Sequence, residues 1–182
     1  MWHPAKQTEA PTAEPVTVAE VKSQSYIDHD DHDAQIALLI AAARDHIERY
    51  CNITALTQTI EAKCDCFDDF AYLPFAPVQS ISSITYIDTD GSEQTLSSSV
   101  YELRADDLEG SIVLQYGQSW PARRVNTRIT VTAVVGYTTV PPAIKHAMLL
   151  LVALGFENRE AQELGTFSTA DALLSNFRRY AA

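Results

Sequence analysis

The sequence predicts an α+β protein in which helices from both ends of the chain form a bundle and an antiparallel β unit is inserted between them. Segments 17–52 and 141–180 repeat apolar residues at three- and four-residue steps, which is the period of an amphipathic helix. Segment 55–138 is rich in β-branched residues and turn signals, which are typical of short strands. Because the two helical groups each need a partner for their apolar faces, an insertion is the simplest arrangement.

The bulk composition limits the kind of function. The chain has 182 residues, a net charge of −11 and 46% hydrophobic residues, and its isoelectric point is about 4.7. A chain of this length buries roughly 70% of its unfolded surface and needs no metal or disulfide to fold. The acidic balance disfavours a protein that holds nucleic acid by its phosphates, but it suits one that DNA slides past. Three cysteines and no apolar leader predict reduced thiols in a protein made in the cytosol.

The chain is predicted to consist of a flexible N-terminal arm, residues 1–15, followed by a single domain, residues 16–182. Pro4, Pro11 and Pro15 punctuate the arm, and Trp2 is its one large aromatic residue. Trp2 could dock on a partner, but tolerance to change, as is usual near a terminus, is the simpler interpretation for the arm.

Two helices are predicted next. Thr17 and Glu20 have the spacing of a capping box, which predicts a short helix to about Ser25. A longer amphipathic helix follows the acidic run Asp28–Asp33 and ends near Asn52. Its predicted core face contains Ile36, Leu39, Ile40, Ala43, Ile47 and Tyr50.

The β unit is predicted to hold five or six short antiparallel strands. The Asp90–Gly91 pair is a strong hairpin turn signal. The candidate strands are 55–62, Tyr72–Leu73, Ile81–Asp88, Val100–Arg104, Ser111–Gln115 and Arg128–Val135.

The C-terminal part is predicted to contain two helices. The stretch Pro141–Glu160 is apolar on nearly all faces, which indicates a central helix, and its apolar run is too short to span a bilayer. Ser168 or Thr169 caps a last helix, with Leu173, Leu174, Phe177 and Tyr180 on one side. Arg178 and Arg179 are predicted in its final turn, where cations favour the helix dipole.

Two clusters could bind metal. The run Asp28–Asp33 contains carboxylates and imidazoles, but acids that precede a helix also stabilise its positive end, and this second interpretation uses the cluster as it stands. Cys64 and Cys66, with Cys51 and a histidine, could form a zinc site, or they could be ordinary half-buried thiols. We predict no metal and no cofactor.

No catalytic centre is predicted. The sequence lacks a phosphate-binding loop, a dinucleotide fingerprint, a nucleophile elbow and the H-E-x-x-H motif. The acid pairs Asp68–Asp69 and Asp106–Asp107 could serve acid/base chemistry, but solvated acidic loops are the simpler interpretation.

A series of motifs in a fixed order extends over residues 16–180. They are V-T-x-A-E (Val16–Glu20), the acidic step Asp28–Asp33, L-I-x-A-A-R (Leu39–Arg44), Ile47–Asn52, Leu-Thr-Gln-Thr (Leu56–Thr59), Leu73–Tyr86, the hairpin Asp88–Gly91, Tyr-Gly-x-x-Trp-Pro (Tyr116–Pro121), Val135–Tyr137, Val140–Lys145 and Phe156–Glu160. In this combination the chain resembles the head–tail connector (adaptor) proteins of long-tailed double-stranded DNA bacteriophages and gene transfer agents.

The resemblance implies a structural virion protein that is made in the bacterial cytoplasm and works at the capsid–tail junction. Members of that family form a ring, typically dodecameric, beneath the portal protein. They bridge the portal to the stopper or tail-terminator protein and line a channel that DNA crosses without specific binding. No membrane and no enzymatic activity are implied.

The resemblance also implies that the C-terminal segment docks on the portal. The candidate docking residues are Phe167, Phe177, Arg178, Arg179 and Tyr180. Aromatic and arginine side chains suit this task, because they dominate interface hot spots. Phe177 and Tyr180 could instead pack on the core of their own chain.

Two other functions stay open from the sequence. A β-rich interaction or carbohydrate-binding module with helical flanks would expose an aromatic platform that contains Tyr116 and Trp120. A metal-dependent hydrolase would use the acid pairs and bind divalent ions tightly.

Overall fold

The computed structural model describes residues 1–158 and 168–179. Within them, the elements run β1 (Lys6–Glu9), α1 (Val18–Ser25), α2 (Asp33–Cys51), β2 (Gln58–Cys64), a 3-10 helix (Phe67–Ala71), β3 (Val78–Ile87), β4 (Glu93–Thr95), β5 (Tyr101–Asp106), β6 (Glu109–Leu114), β7 (Ile129–Val135), α3 (Pro142–Glu157), α4 (Thr169–Leu174) and a 3-10 turn (Ser175–Phe177). The predicted α+β class, with helices at both ends and an inserted antiparallel β unit, is confirmed.

The contacts divide the chain into two compact units. Unit 1 contains Met1–Pro11 and Thr57–Gly136, and unit 2 contains Thr12–Leu56 and the described residues from Tyr137 onward. The β insertion predicted over residues 55–138 corresponds to the larger part of unit 1. Whether residues 16–182 act as a single domain stays a prediction.

Unit 1 is built on a five-stranded antiparallel sheet in the order β1-β2-β7-β3-β4, beside which β5 and β6 form a separate hairpin. Strand β7 pairs with both β2 and β3. Its alternate residues Ile129, Val131, Ala133 and Val135 are all fully buried, as a strand with one face on the core requires. The predicted turn at Asp90–Gly91 joins β3 to β4, with Gly91 at φ 91° and the Asp88 carboxylate accepting the backbone N–H groups of Asp90 and Ser92.

The N-terminal residues differ from the prediction of a flexible arm. Residues Lys6–Glu9 form the edge strand β1, paired antiparallel with β2. The indole N–H of Trp2 donates to the carbonyl oxygens of Asp69 at 2.8 Å and Tyr72 at 2.7 Å. The arm adopts this structure because β2 offers a free edge whose backbone groups gain partners from any strand that reaches it.

The predicted strand at Tyr72–Leu73 is wrong. These residues follow the 3-10 helix Phe67–Ala71, and the backbone N–H of Leu73 donates to the carbonyl of Gly110 at 2.9 Å outside any ladder. Phe67 and Phe70 lie three residues apart and are both buried in the core of unit 1. This spacing suits one side of a 3-10 turn.

Unit 2 is a helical bundle in which α3 contacts α1, α2 and α4. Helix α1 begins with the predicted capping box between Thr17 and Glu20, and α2 ends at Asn52, which has the left-handed φ of 55°. The buried residues of α3 are Ile144, Ala147, Met148 and Val152. The predicted central position of α3 within the bundle agrees with these contacts.

The end of the last helix differs from the prediction. Helix α4 ends at Leu174, a 3-10 turn follows to Phe177, and Arg178 is extended with φ −80° and ψ 119°. Arg178 and Arg179 therefore lie beyond the helix and not in its final turn. The sequence pattern missed this end because the apolar spacing continues through the 3-10 turn.

Candidate partner-binding segment at the C-terminus

The structure describes three of the five residues that are predicted to dock on a partner. Phe167 and Tyr180 lie outside the described residues. The described docking candidates are Phe177, Arg178 and Arg179, which follow α4.

A capping box positions this segment. Ser168 caps α4: the Asp171 backbone N–H donates to the Ser168 hydroxyl at 3.2 Å, and the Ser168 backbone N–H donates to the Asp171 carboxylate at 2.8 Å. The hydrogen bonds from the hydroxyl and the backbone of Ser168 hold the pKa of Asp171 below its ordinary value of 3.8. Because only six residues form α4, this cap satisfies a large share of its free N–H groups.

The segment after α4 packs against the last turn of α2 and against Tyr137, which precedes α3. The backbone N–H of Arg179 donates to the carbonyl of Cys51 at 2.8 Å, and the Arg179 side chain is buried. The Arg178 guanidinium lies 4.6 Å from the centre of the Tyr50 ring. The ring of Phe177 meets that of Tyr137 edge to face at 6.5 Å. Arg178 is exposed and Phe177 half-buried, so a partner can reach both residues in this conformation.

The acidic run before α2 is organised by a lysine. Lys22 pairs with Asp30, and its Nζ atom lies 3.0 Å from an Asp33 carboxylate oxygen. These ion pairs raise the pKa of Lys22 above its ordinary value. The N-cap residue of α2 is His32, and its side chain makes no capping hydrogen bond. The run Asp28–Asp33 therefore does not cap α2 through the side chain of its N-cap residue. Asp33 lies in the first turn, where its charge favours the helix dipole.

The cysteines are free thiols. Cys51 and Cys64 are buried, and Cys66 is partly exposed. Burial raises the pKa of Cys51 to about 11 and that of Cys64 to about 12. Within residues 1–158 and 168–179, no group of three or more His, Cys, Asp or Glu side chains is placed to hold a metal ion.

Of the two acid pairs, Asp68–Asp69 contains a carboxylate with hydrogen-bond partners, and Asp106–Asp107 lies at a turn. The Asp69 carboxylate accepts hydrogen bonds from the Met1 ammonium at 2.6 Å and from the backbone N–H of Cys66 at 3.0 Å. Burial alone would raise the pKa of Asp69, but these hydrogen bonds outweigh it and lower the pKa. Asp106 and Asp107 lie at the β5–β6 turn, where Asp107 has a φ of 50°.

The aromatic platform expected of a carbohydrate-binding module is not formed by Trp120. Its ring stacks on Phe67 with centroids 4.9 Å apart and an angle of 4°, and it meets Phe70 edge to face. Trp120 is therefore packed against the core of unit 1. Tyr116 is fully exposed.

The sequence motifs do not indicate a group of three arginines in one loop. Arg123, Arg124 and Arg128 lie in the loop between β6 and β7. The signal for it is in the sequence: no Asp or Glu occurs between Gly110 and Phe156, although the chain as a whole is acidic. The charge of this segment, taken separately from the net charge of the chain, indicates a basic loop.

No helix among the described residues is long and apolar enough to cross a membrane.

Comparison with known proteins identifies relatives by sequence family and by fold. The family model described as "Head completion protein" matches residues 14–169. None of the curated protein sequences matches this chain. Similar folds occur in chains of three solved assemblies of gene transfer agent (GTA) particles. They are the neck of an empty GTA particle computed with C6 symmetry (TM-score 0.82, 19% identity), the virion of a native GTA particle (TM-score 0.82, 18% identity) and the neck of a native GTA particle computed with C12 symmetry (TM-score 0.79, 20% identity). Each similarity covers 99% of this chain and 97% of the other. The family match spans most of the sequence, and the chain therefore belongs to the head completion protein family, as its resemblance to head–tail connectors predicted.

Proposed function

We propose that this structural head–tail protein forms a ring beneath the portal, joins the portal to the stopper or tail components, and lines the channel that DNA crosses. The observation that carries the proposal is the fold shared over 99% of the chain with a protein in a neck computed with C12 symmetry. In this role the chain is made in the bacterial cytoplasm and works at the capsid–tail junction of the virion. The role requires no cofactor and no turnover of a substrate.

The negative net charge of the chain supports the proposal that the ring lines a DNA channel. Each copy contributes a net charge of −11, so a ring of many copies is strongly negative. Negative walls repel phosphates and let DNA slide. We expect the isolated chain to bind duplex DNA weakly at physiological salt.

The C-terminal segment supplies the proposed docking site for the portal. Phe177 and Arg178 are accessible, and Arg179 anchors the backbone of the segment to Cys51. Phe167 and Tyr180 belong to the proposed site by sequence. An arginine and an aromatic residue side by side are typical of interface hot spots.

The test is capture of the purified chain by the portal protein of the same genome. Truncation before Phe167 should abolish capture, but it also removes the buried Leu174. Two point variants, Phe177→Ala and Arg178→Glu, keep α4 and should each weaken capture by roughly tenfold or more, as hot-spot residues do. Asn176→Ala, at an exposed neighbouring position, is the matched control. Undiminished capture of both point variants would remove the docking site from the proposal.

A further inference from the structure

The loop between β6 and β7 concentrates positive charge on an acidic protein. Residues 116–128 contain Arg123, Arg124 and Arg128 and no acidic residue. Among the residues that the structure describes, none of these three arginines makes an ion pair. Arg124 and Arg128 are exposed, whereas the Arg123 guanidinium donates to the Thr127 carbonyl at 2.8 Å and so holds the loop.

The loop also lines a cleft and presents apolar surface. A cleft of about 480 Å³ is lined by Asp65, Cys66, Arg123 and residues 125–128. Val125 is 79% exposed, and Tyr116 at the start of the loop is fully exposed. Arginine and tyrosine are enriched at protein interfaces, because both combine hydrogen bonding with apolar area, and the exposed Val125 side chain adds apolar surface to the same loop.

The same chain carries a surface of complementary charge before α2. Asp28 and Asp31 are exposed, and neither has a Lys or Arg partner in the described ranges. Only Asp30 and Asp33 are occupied by Lys22. Tyr26, two residues before Asp28, is 95% exposed and has a φ of 54°.

A closed ring of more than two copies requires two different surfaces on each copy, because its contacts run head to tail. We propose that the arginine loop (residues 116–128) of one copy binds the acidic segment (residues 26–33) of the next copy. This inference rests on the proposed ring, and it names the two surfaces that close it. Arg124 and Arg128 pair with Asp28 and Asp31 across the contact, while Tyr26 and Tyr116 add apolar area at its two sides.

DNA is the other acidic macromolecule that could meet the arginines. Three observations favour the protein partner. The loop exposes Val125, which has no use against a phosphate backbone, and the acidic segment exposes an apolar residue of its own, Tyr26. The net charge of −11 also disfavours approach of the chain to DNA.

The experiment uses two charge-reversal variants of the full chain and measures assembly on isolated portal rings by sedimentation velocity. The first variant is Arg124→Glu with Arg128→Glu, and the second is Asp28→Lys with Asp31→Lys. Each variant alone places like charges across the contact, so each should lose assembly by at least roughly tenfold. An equimolar mixture should restore assembly, because the two variants then alternate around the ring with opposite charges at every contact.

The matched control reverses the exposed cations Lys6 and Arg104 to Glu, which changes the net charge as much as the arginine variant does. It should assemble like the wild type. Normal assembly of the arginine variant, or failure of the mixture, would overturn the inference while leaving the ring proposal intact. A wild-type chain that fails to assemble with the portal would instead overturn the proposed function, and the inference with it.

A second measurement leaves all charges in place. In a Cys66→Ser background, Asn126→Cys and Ala34→Cys are introduced on separate copies, which are mixed and treated with a short bismaleimide. A cross-link between the two copies in assembled rings is expected, and its absence from such rings contradicts the inference. Fluorescence anisotropy with duplex DNA completes the test: tight DNA binding that Arg124→Glu and Arg128→Glu abolish, without loss of assembly, assigns the loop to DNA.

Discussion

The guanidinium carbon of Arg178 lies 4.6 Å above the ring centre of Tyr50, so the C-terminal segment rests on the last turn of α2. A cation over an aromatic ring contributes about 0.5–1 kcal/mol at an exposed site. We expect Arg178→Ala and Tyr50→Ala to be non-additive in a double-mutant cycle, with a coupling of about that size. Urea unfolding of the wild type, both single variants and the double variant measures it. Additive effects would show that the contact adds nothing to stability.

Trp2 is predicted to matter for stability despite its place near the start of the chain. Its ring stacks on Phe70 at 6.0 Å and meets Phe75 edge to face, in addition to its two hydrogen bonds. Full truncation of a buried Trp costs about 3–5 kcal/mol, and because Trp2 is half-buried we expect Trp2→Ala to cost about 3 kcal/mol of unfolding free energy.

Trp2→Phe separates the two contributions. It keeps much of the ring contact and loses both hydrogen bonds, so it should cost about 1–3 kcal/mol. Lys6→Ala, on the exposed edge strand, is the control and should stay within about 0.5 kcal/mol of the wild type. Equal stability of the Trp2→Ala variant and the wild type in chemical denaturation would contradict the packing of this residue.

The ion pair between Met1 and Asp69 predicts a pH dependence with two limbs. The pKa of Asp69 is lowered in the folded state, so its contribution to stability is present above the ordinary value of 3.8 and is lost as pH falls through the folded value. The hydrogen bond to Asp69 raises the pKa of the Met1 ammonium, so that contribution is full below 8.0 and is lost as pH rises through the folded value.

Asp69→Asn should therefore be less stable than the wild type at neutral pH and show a flatter decline at both extremes. Asp68→Asn, at the exposed neighbour, removes the same charge and should follow the wild-type curve. Unfolding free energies across the pH range measure the difference. Identical curves for the two variants would show that Asp69 has no special role.

The thiols should react in a fixed order. Burial raises the pKa of Cys51 and Cys64, so little thiolate is present at neutral pH, and both sulfurs are also inaccessible. Cys66 is partly exposed, and we expect iodoacetamide to modify it first. Mass spectrometry of the native protein should show one rapid modification that is absent in Cys66→Ser. Three equal rates would mean that the thiols are exposed by unfolding.

The sequence was sufficient wherever structure depends on neighbours in the chain. The capping box at Thr17, the turn at Asp90–Gly91 and the C-cap of α2 at Asn52 were predicted at the correct residues, and Ser168 is one of the two residues that were predicted to cap the last helix. Each depends on hydrogen bonds that span only a few residues, and the residue types for them are specific. The order of motifs likewise indicated the family before any fold was known.

The candidate docking segment was only partly predictable. Its residues followed from the resemblance, but the contact of Arg178 with Tyr50 joins positions far apart in sequence. The end of α4 at Leu174 was also missed, because apolar spacing does not distinguish an α-helix from the 3-10 turn that extends it.

The sequence by itself determined the α+β class, the positions of the main helices and most strands, and the strongly acidic character of the surface. Tertiary structure alone decided that Lys6–Glu9 join the sheet, that Trp2 packs on Phe70 and that Arg179 is tied to Cys51. The physical reason is that a free strand edge or a gap in a core is created by residues distant in the chain, so the short segment that fills it carries no local signal.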